Sequence, residues 1–142
     1  MKSYPKAIGR LLRLILIVMF STAIISCTKE KSTIVENTWL VESIKIHADS
    51  SLKYTNNEYL LQFENKTNYS LSLDVNSCFG SVNFLSNKRV DFKSLNCTEA
   101  CCDSDFALNT ADILGEVNKY SVIDSKLVFS SENGRVINLK IK

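Results

Sequence analysis

From Asn68 to Val75 the chain alternates, with Tyr69, Leu71, Leu73 and Val75 on one side and Asn68, Ser70, Ser72 and Asp74 on the other. A period of two is the pattern of a strand with one face buried. Just upstream, Tyr59, Leu61 and Phe63 share a face before the polar turn Asn65-Lys66-Thr67, so the two segments should pair as a hairpin. Further strands are expected at Trp39–Ile46, Ser81–Leu85, Arg89–Phe92 and Lys119–Ile123.

The C-terminal hairpin contains Asn133-Gly134, a strong turn signal. A loop of those two residues alone would set Phe129 against Asn138 and Leu127 against Lys140, mixing core with solvent. The three-residue loop Glu132-Asn133-Gly134 instead pairs Phe129 with Ile137, Leu127 with Leu139 and Val128 with Asn138. The apolar pattern dictates register, so the longer loop is expected, with Gly134 left-handed in a bulge.

Between Asp103 and Tyr120 the rhythm changes. Phe106, Ala107, Ala111, Leu114 and Val117 fall at helical spacing. Asp103 is the expected N-cap, Asp105 suits the positive end of the helix, and the helix should end between Gly115 and Asn118. The expected architecture is mainly β (α+β): an antiparallel sheet or partly open barrel of about eight strands with one packed α-helix.

The first residues have a different character. Lys2, Lys6, Arg10 and Arg13 form a basic head, and Leu14–Ile25 is almost wholly apolar. That run has signal-peptide length and is too short for an ordinary membrane span. It ends in Ile24-Ile25-Ser26-Cys27, which resembles the lipobox of bacterial lipoproteins. The resemblance implies cleavage before Cys27 and acylation of that cysteine. Several acyl chains on one residue hold a membrane firmly where one holds it marginally. Thr28 after Cys27, where retention would place Asp, implies the outer membrane. An uncleaved anchor or an ordinary secretory signal are the alternatives. The chain thus divides into a signal peptide (1–26), a polar lipidated tether (27–37) and a folded domain (38–142).

Cleavage changes the charge. The whole chain has 17 basic and 15 acidic side chains, net +2. Loss of the four leader cations makes the mature chain slightly acidic, which offers nucleic acid no electrostatic footing. The membrane, through Cys27, and an envelope protein or ligand are the expected partners.

Order and punctuation along the mature chain resemble the META domain, a family of bacterial envelope proteins. Thr38-Trp39-Leu40 matches its opening Trp strand, Asn76 and Gly80 keep its Asn-to-Gly spacing, and Thr98, Ala100 and Cys101 match the residue types of its Thr/Ala/Cys element. Tyr120, Val122, Leu127 and Phe129 fit the strands that follow its helix. The sequence departs from the pattern at Asp74-Val75, where the family has Gly-Cys, and at Val82, where it has Tyr. The resemblance implies a compact, mainly β envelope domain without an established catalytic centre.

Five cysteines are present. With Cys27 lipidated, Cys78, Cys97, Cys101 and Cys102 are left for an oxidising compartment, where three pairings are open. A bond between adjacent Cys101 and Cys102 closes a strained ring and is set aside. The remaining schemes join Cys78 to Cys101 or Cys102, and Cys97 to the other. A bond from Cys78 to the helix start would contribute roughly 3 kcal/mol. Cys-x-x-x-Cys-Cys lacks the paired Cys-x-x-Cys spacing of zinc knuckles and the Cys-x-x-Cys of thiol oxidoreductases.

The other candidates read as structural. His47 is a surface histidine with no evident triad partner. Asp103 and Asp105 serve the helix end, Asp74 is solvated, Asn76 and Gly80 are turn residues, and Trp39 belongs to the core. No enzyme activity, catalytic residue, metal or cofactor is expected. The expected function is that of a lipid-anchored envelope lipoprotein working by interaction or structural support. A lipocalin-like carrier of a small apolar ligand and an envelope protease inhibitor are the alternatives.

Overall fold

In the computed structural model, which describes residues 32–142, strand pairing follows the apolar pattern almost throughout. Ile34–Lys142 form one compact unit. Its strands are β1 (Thr38–Lys45), β2 (Lys53–Tyr54), β3 (Leu60–Phe63), β4 (Asn68–Ser72), β5 (Ser77–Phe84), β6 (Val90–Cys97), β7 (Lys119–Ile123), β8 (Lys126–Ser130) and β9 (Val136–Ile141). Residues 32–36 form a short helical segment, α1, and the principal helix, α2, spans Asp105–Glu116. All strand pairs are antiparallel, in the order β6-β5-β4-β3-β1-β9-β8-β7, with β2 pairing beside β1.

The sheet curls until its two edges meet at one corner. Arg89 bridges Lys119; Val90 N donates to Asn118 O at 3.0 Å and Tyr120 N to Lys88 O at 2.9 Å. The result is a half-barrel of eight principal strands, as the alternating pattern implies. Edge-to-face aromatic pairs fill the seam: Phe84 on Tyr120, Tyr69 on Phe92 and Phe92 on Phe129.

Both expected hairpins form, the C-terminal one in the expected register. Leu61 faces Leu71 and Phe63 faces Tyr69. In the turn between them, Asn65 Oδ1 accepts from Thr67 N at 2.8 Å and Asn68 N at 2.9 Å. A side chain that bonds the backbone ahead of it in this way fixes the chain reversal. In the last hairpin Leu127 faces Leu139 and Phe129 faces Ile137. Ser131 N donates to Arg135 O at 3.0 Å, closing the three-residue loop, and Gly134 is left-handed at φ 79°.

Helix α2 lays Ala107, Ala111, Ile113 and Leu114 into the concave side of the sheet. Thr110 shares that face, and its hydroxyl donates to Phe106 O at 2.8 Å. That back-bond leaves no polar hydrogen stranded on burial. The space bounded by Leu61, Leu71, Leu114, Ile137 and Leu139 has no room for a water molecule. Arg135 clamps the last hairpin to the helix, reaching Asp112 Oδ2 at 2.6 Å and Glu116 Oε1 at 2.8 Å. Asn133 adds a bond to Glu116 at 3.1 Å.

The structure corrects several expectations. The folded body starts before residue 38: Ile34 is fully buried, and Trp39 Nε1 donates to its carbonyl at 2.8 Å. Trp39 is in the core as expected. Val75 does not continue the buried face of β4; the strand ends at Ser72, and Val75 is 55% exposed in the turn that follows. Strands β5 and β6 run further than expected, through Ser- and Asn-rich segments, because each finds a paired neighbour. Pairing outweighs the low β-propensity of those residues. The N-cap is Ser104, whose hydroxyl accepts from Ala107 N at 3.3 Å, and not Asp103. Serine is as good a cap as aspartate, so the shift costs the helix nothing. Helix α2 ends at Glu116, within the expected range. Cys27 and the leader lie outside the described residues.

Candidate functional site

The residues of most chemical interest converge where the β4–β5 turn meets the loop entering α2. Asn76, largely buried, is the keystone. Its Oδ1 accepts from Thr98 Oγ1 and Ala100 N, both at 2.8 Å. Its Nδ2 donates to Ala100 O at 2.7 Å and to Asp103 Oδ2 at 2.6 Å. One side chain thus holds residues 98 to 103 at four points. Asp103 answers from the other side, its Oδ1 accepting from Val75 N at 2.9 Å and Asn76 N at 3.3 Å. Desolvation pulls the Asp103 carboxyl upward, but the hydrogen bonds from Val75 and Asn76 outweigh it and hold the group below its ordinary range. Donors that favour the charged form act in this direction.

Beside this clasp, Asp74 binds the start of the helix. Its Oδ2 accepts from Ser104 Oγ at 2.7 Å and Ser104 N at 2.9 Å, and its Oδ1 from Tyr59 Oη at 2.8 Å and Asn57 Nδ2 at 2.9 Å. The Ser104 bonds, joined by those of Tyr59 and Asn57, lower the carboxyl to about 2. Asp74 is exposed, as its place on the polar side of the alternating pattern implied, but both of its oxygens are engaged by these neighbours. Tyr59 also stacks on Phe106 with ring centroids 5.4 Å apart, adding an apolar contact to the same joint. The Asp74 carboxylate accepts four hydrogen bonds, and the Ser104 hydroxyl is committed as donor to Asp74 and as acceptor at the helix cap. The cluster is built to hold a joint.

The cysteines flank this joint, in a pairing other than the expected ones. Cys78 joins Cys97, and Cys101 joins Cys102. Cys78 and Cys97 stand directly opposite on β5 and β6, with Cα atoms 3.9 Å apart. The strand β6 continues to Cys97, so the ladder itself delivers that partner; Cys101 and Cys102 are left with each other. Among the described residues, no three His, Cys, Asp or Glu side chains converge on a metal-sized site.

Of the motif positions, Asn76, Thr98 and Ala100 meet in one hydrogen-bonded unit, next to Cys101. Asn76 is thus more than a turn residue. Gly80 acts elsewhere and for a different reason. Its φ is not positive; a Cβ there would lie 2.5 Å from Lys93 O, 2.8 Å from Ser94 O and 2.7 Å from Tyr69 Oη. The pairing register shifts at this point and Ser94 is left-handed. Glycine lets the β5 backbone close against that β6 bulge. The Tyr69 hydroxyl below it is buried without a partner, and burial pushes its pKa up to about 12. His47 lies exposed in the turn after β1, bonded to Ser50. On the outer surface, Leu40, Glu42, Tyr54, Asn56, Glu58 and Lys140 border an open cleft of about 390 Å³.

Asp74, Ser104, Tyr59 and Asn57 were not legible as site residues. Their partners lie far apart in sequence, and no periodic pattern joins them.

The fold is a curled antiparallel half-barrel closed over one helix, with an Asn-centred clasp at the helix entrance. Residues 32–141 match the META domain family, and the chain belongs to it. Two solved structures share the fold. A protein from Burkholderia xenovorans, solved by NMR, is 14% identical, with 80% of this chain and 87% of that chain covered at a TM-score of 0.65. A DUF4847 family protein from Bacteroides vulgatus, solved by crystallography, is 10% identical, with 78% and 95% covered at a TM-score of 0.59. No match was found among curated proteins.

Proposed function

We propose that this chain is a lipid-anchored envelope lipoprotein whose META domain acts by binding or by structural support, without catalysis. The observation that carries the proposal is the run of basic head, apolar stretch and Ile24-Ile25-Ser26-Cys27 at the start of the sequence. Disulfide pairing of the remaining cysteines supports it, since such bonds persist outside the cytosol. So does the character of the site: its carboxylates and hydroxyls are bonded to one another, which pre-organises the exposed loop from Thr98 to Asp103. A pre-ordered loop loses little entropy when a partner docks.

The outer membrane is the proposed location, since Thr28 follows Cys27. A partner would then be another envelope component. The filled interface between α2 and the sheet counts against a carrier with an internal apolar ligand. Blocking the lipoprotein signal peptidase with globomycin should leave the full precursor uncleaved, and Cys27→Ser should do the same. Normal processing under either condition would refute the anchor.

A further inference from the structure

We propose that Cys101–Cys102 is a thiol-exchange site, opened by an external dithiol, whose state controls the clasp at the entrance of α2. The two disulfides are unlike. Cys78 is fully buried in the β5–β6 ladder, and its bond to Cys97 spans 19 residues. Both Cys101 and Cys102 are exposed, in the loop between β6 and α2. Exchange requires a thiolate to reach a sulfur; Cys97 is exposed but its partner Cys78 is not, so only in the second pair are both cysteines open to attack.

The consequences of opening differ as well. A bond between neighbouring residues closes almost no chain, so its loss barely enlarges the unfolded ensemble. The fold should survive it. Locally the effect is larger. Cys102 sits at φ 92°, a region that non-glycine residues avoid. With the ring open, this residue is free to return to negative φ. Its neighbours are the two anchors of the clasp: Ala100, bonded to Asn76 through both N and O, and Asp103, bonded to Asn76 and the Val75 amide. Rotation at Cys102 must displace one of them, and Ser104 with its bonds to Asp74 follows.

In the exchange, a donor thiolate attacks one sulfur of the pair. The S–S bond breaks, its electrons go to the other sulfur, and that sulfur takes a proton. A mixed disulfide joins donor and protein. The donor's second thiol then displaces the protein sulfur, leaving the donor oxidised and Cys101 and Cys102 as two thiols. Two electrons and two protons pass to the protein. An oxidising disulfide reverses the reaction.

The test uses the whole chain in detergent, equilibrated in buffers of reduced and oxidised dithiothreitol. Free thiols are trapped with N-ethylmaleimide, and trypsin with a Glu-specific protease separates Cys97 from Cys101 and Cys102 by cutting after Glu99. Cys101 and Cys102 should both be labelled at a reduced-to-oxidised ratio roughly tenfold or more below that needed to label Cys78 and Cys97. At that ratio, hydrogen exchange at the Ala100 and Ser104 amides should accelerate while the β5–β6 ladder is unchanged. The double variant C101S/C102S should retain Cys78–Cys97 and show the fast exchange without reductant. Simultaneous opening of both pairs, or earlier opening of Cys78–Cys97, would overturn the assignment. Opening of Cys101–Cys102 without a change at Ala100 and Ser104 would overturn its control of the clasp. The titration of the native chain decides both points even if the variant does not fold.

Discussion

Replacing Asn76 by Ala removes the four bonds that hold the loop before α2. Three are neutral, at about 1 kcal/mol each, and the one to the Asp103 carboxylate is at the stronger, charge-assisted end of about 1.5–3 kcal/mol. The loop is exposed, so water recovers part of this for Thr98 and Ala100. The net loss should be about 3 kcal/mol, enough to lower the melting temperature of a domain this size by roughly 15 °C. Asn76→Asp is a sharper probe. It keeps the acceptor facing Thr98 and the Ala100 amide but sets a carboxylate against Asp103 and the Ala100 carbonyl. The pair can share one proton, so its apparent pKa in the folded state should lie above the unfolded value. The stability contributed by that proton is full below the unfolded pKa and lost as pH rises through the folded one. N76D should therefore gain stability relative to N76A as pH falls from 7 to 5, measured by urea denaturation of both variants. If N76A unfolds within about 0.5 kcal/mol of the native chain, or the two variants keep a constant difference across that range, Asn76 is not the keystone.

Three further outcomes follow from the same contacts. Asp74, with its pKa lowered to about 2, contributes stability present above its unfolded value and lost as pH falls through the folded one. Ser104→Ala should move that titration, read by carboxyl NMR, upward toward the ordinary Asp value; an unmoved Asp74 would mean that Ser104 does not hold it. Gly80→Ala forces a Cβ against two backbone carbonyls. It should destabilise by about 3 kcal/mol or more in a melting curve, and a change below about 1 kcal/mol would show that the bulge yields easily. Arg135→Ala frees Asp112 and Glu116, which water can rehydrate. A loss on the order of 1 kcal/mol is expected in denaturant titrations, with hydrogen exchange rising first in the Ser131–Arg135 turn.

The half-barrel was legible because its hairpins carry their own register. Leu61, Phe63, Tyr69 and Leu71 alternate cleanly, and Leu127, Phe129, Ile137 and Leu139 permit a single loop length that buries all of them. A slip of one residue would turn every one of these side chains to the wrong face. Helix α2 was equally plain from its spacing, although the cap fell one residue away because Asp103 is drawn back to Val75 and Asn76. What escaped was decided by long-range pairing. Cys78 meets Cys97 because β6 extends through Ser94-Leu95-Asn96, a segment with little strand character of its own, and that extension fixes the other pair by exclusion. The motif positions Asn76, Thr98 and Ala100 were visible, but their joint role depends on a turn and a loop that meet only after the sheet has curled. Asp74 lay on the polar side of an alternating strand, which says nothing about a serine at a helix start thirty positions later.

The lipid anchor is the claim on which the proposed function rests, and the mass of the N-terminal peptide of the protein extracted from native membranes tests it most directly. A peptide beginning at Cys27 with covalently attached acyl chains is the expected result. A peptide that retains residues 1–26, or begins elsewhere without lipid, would contradict the account.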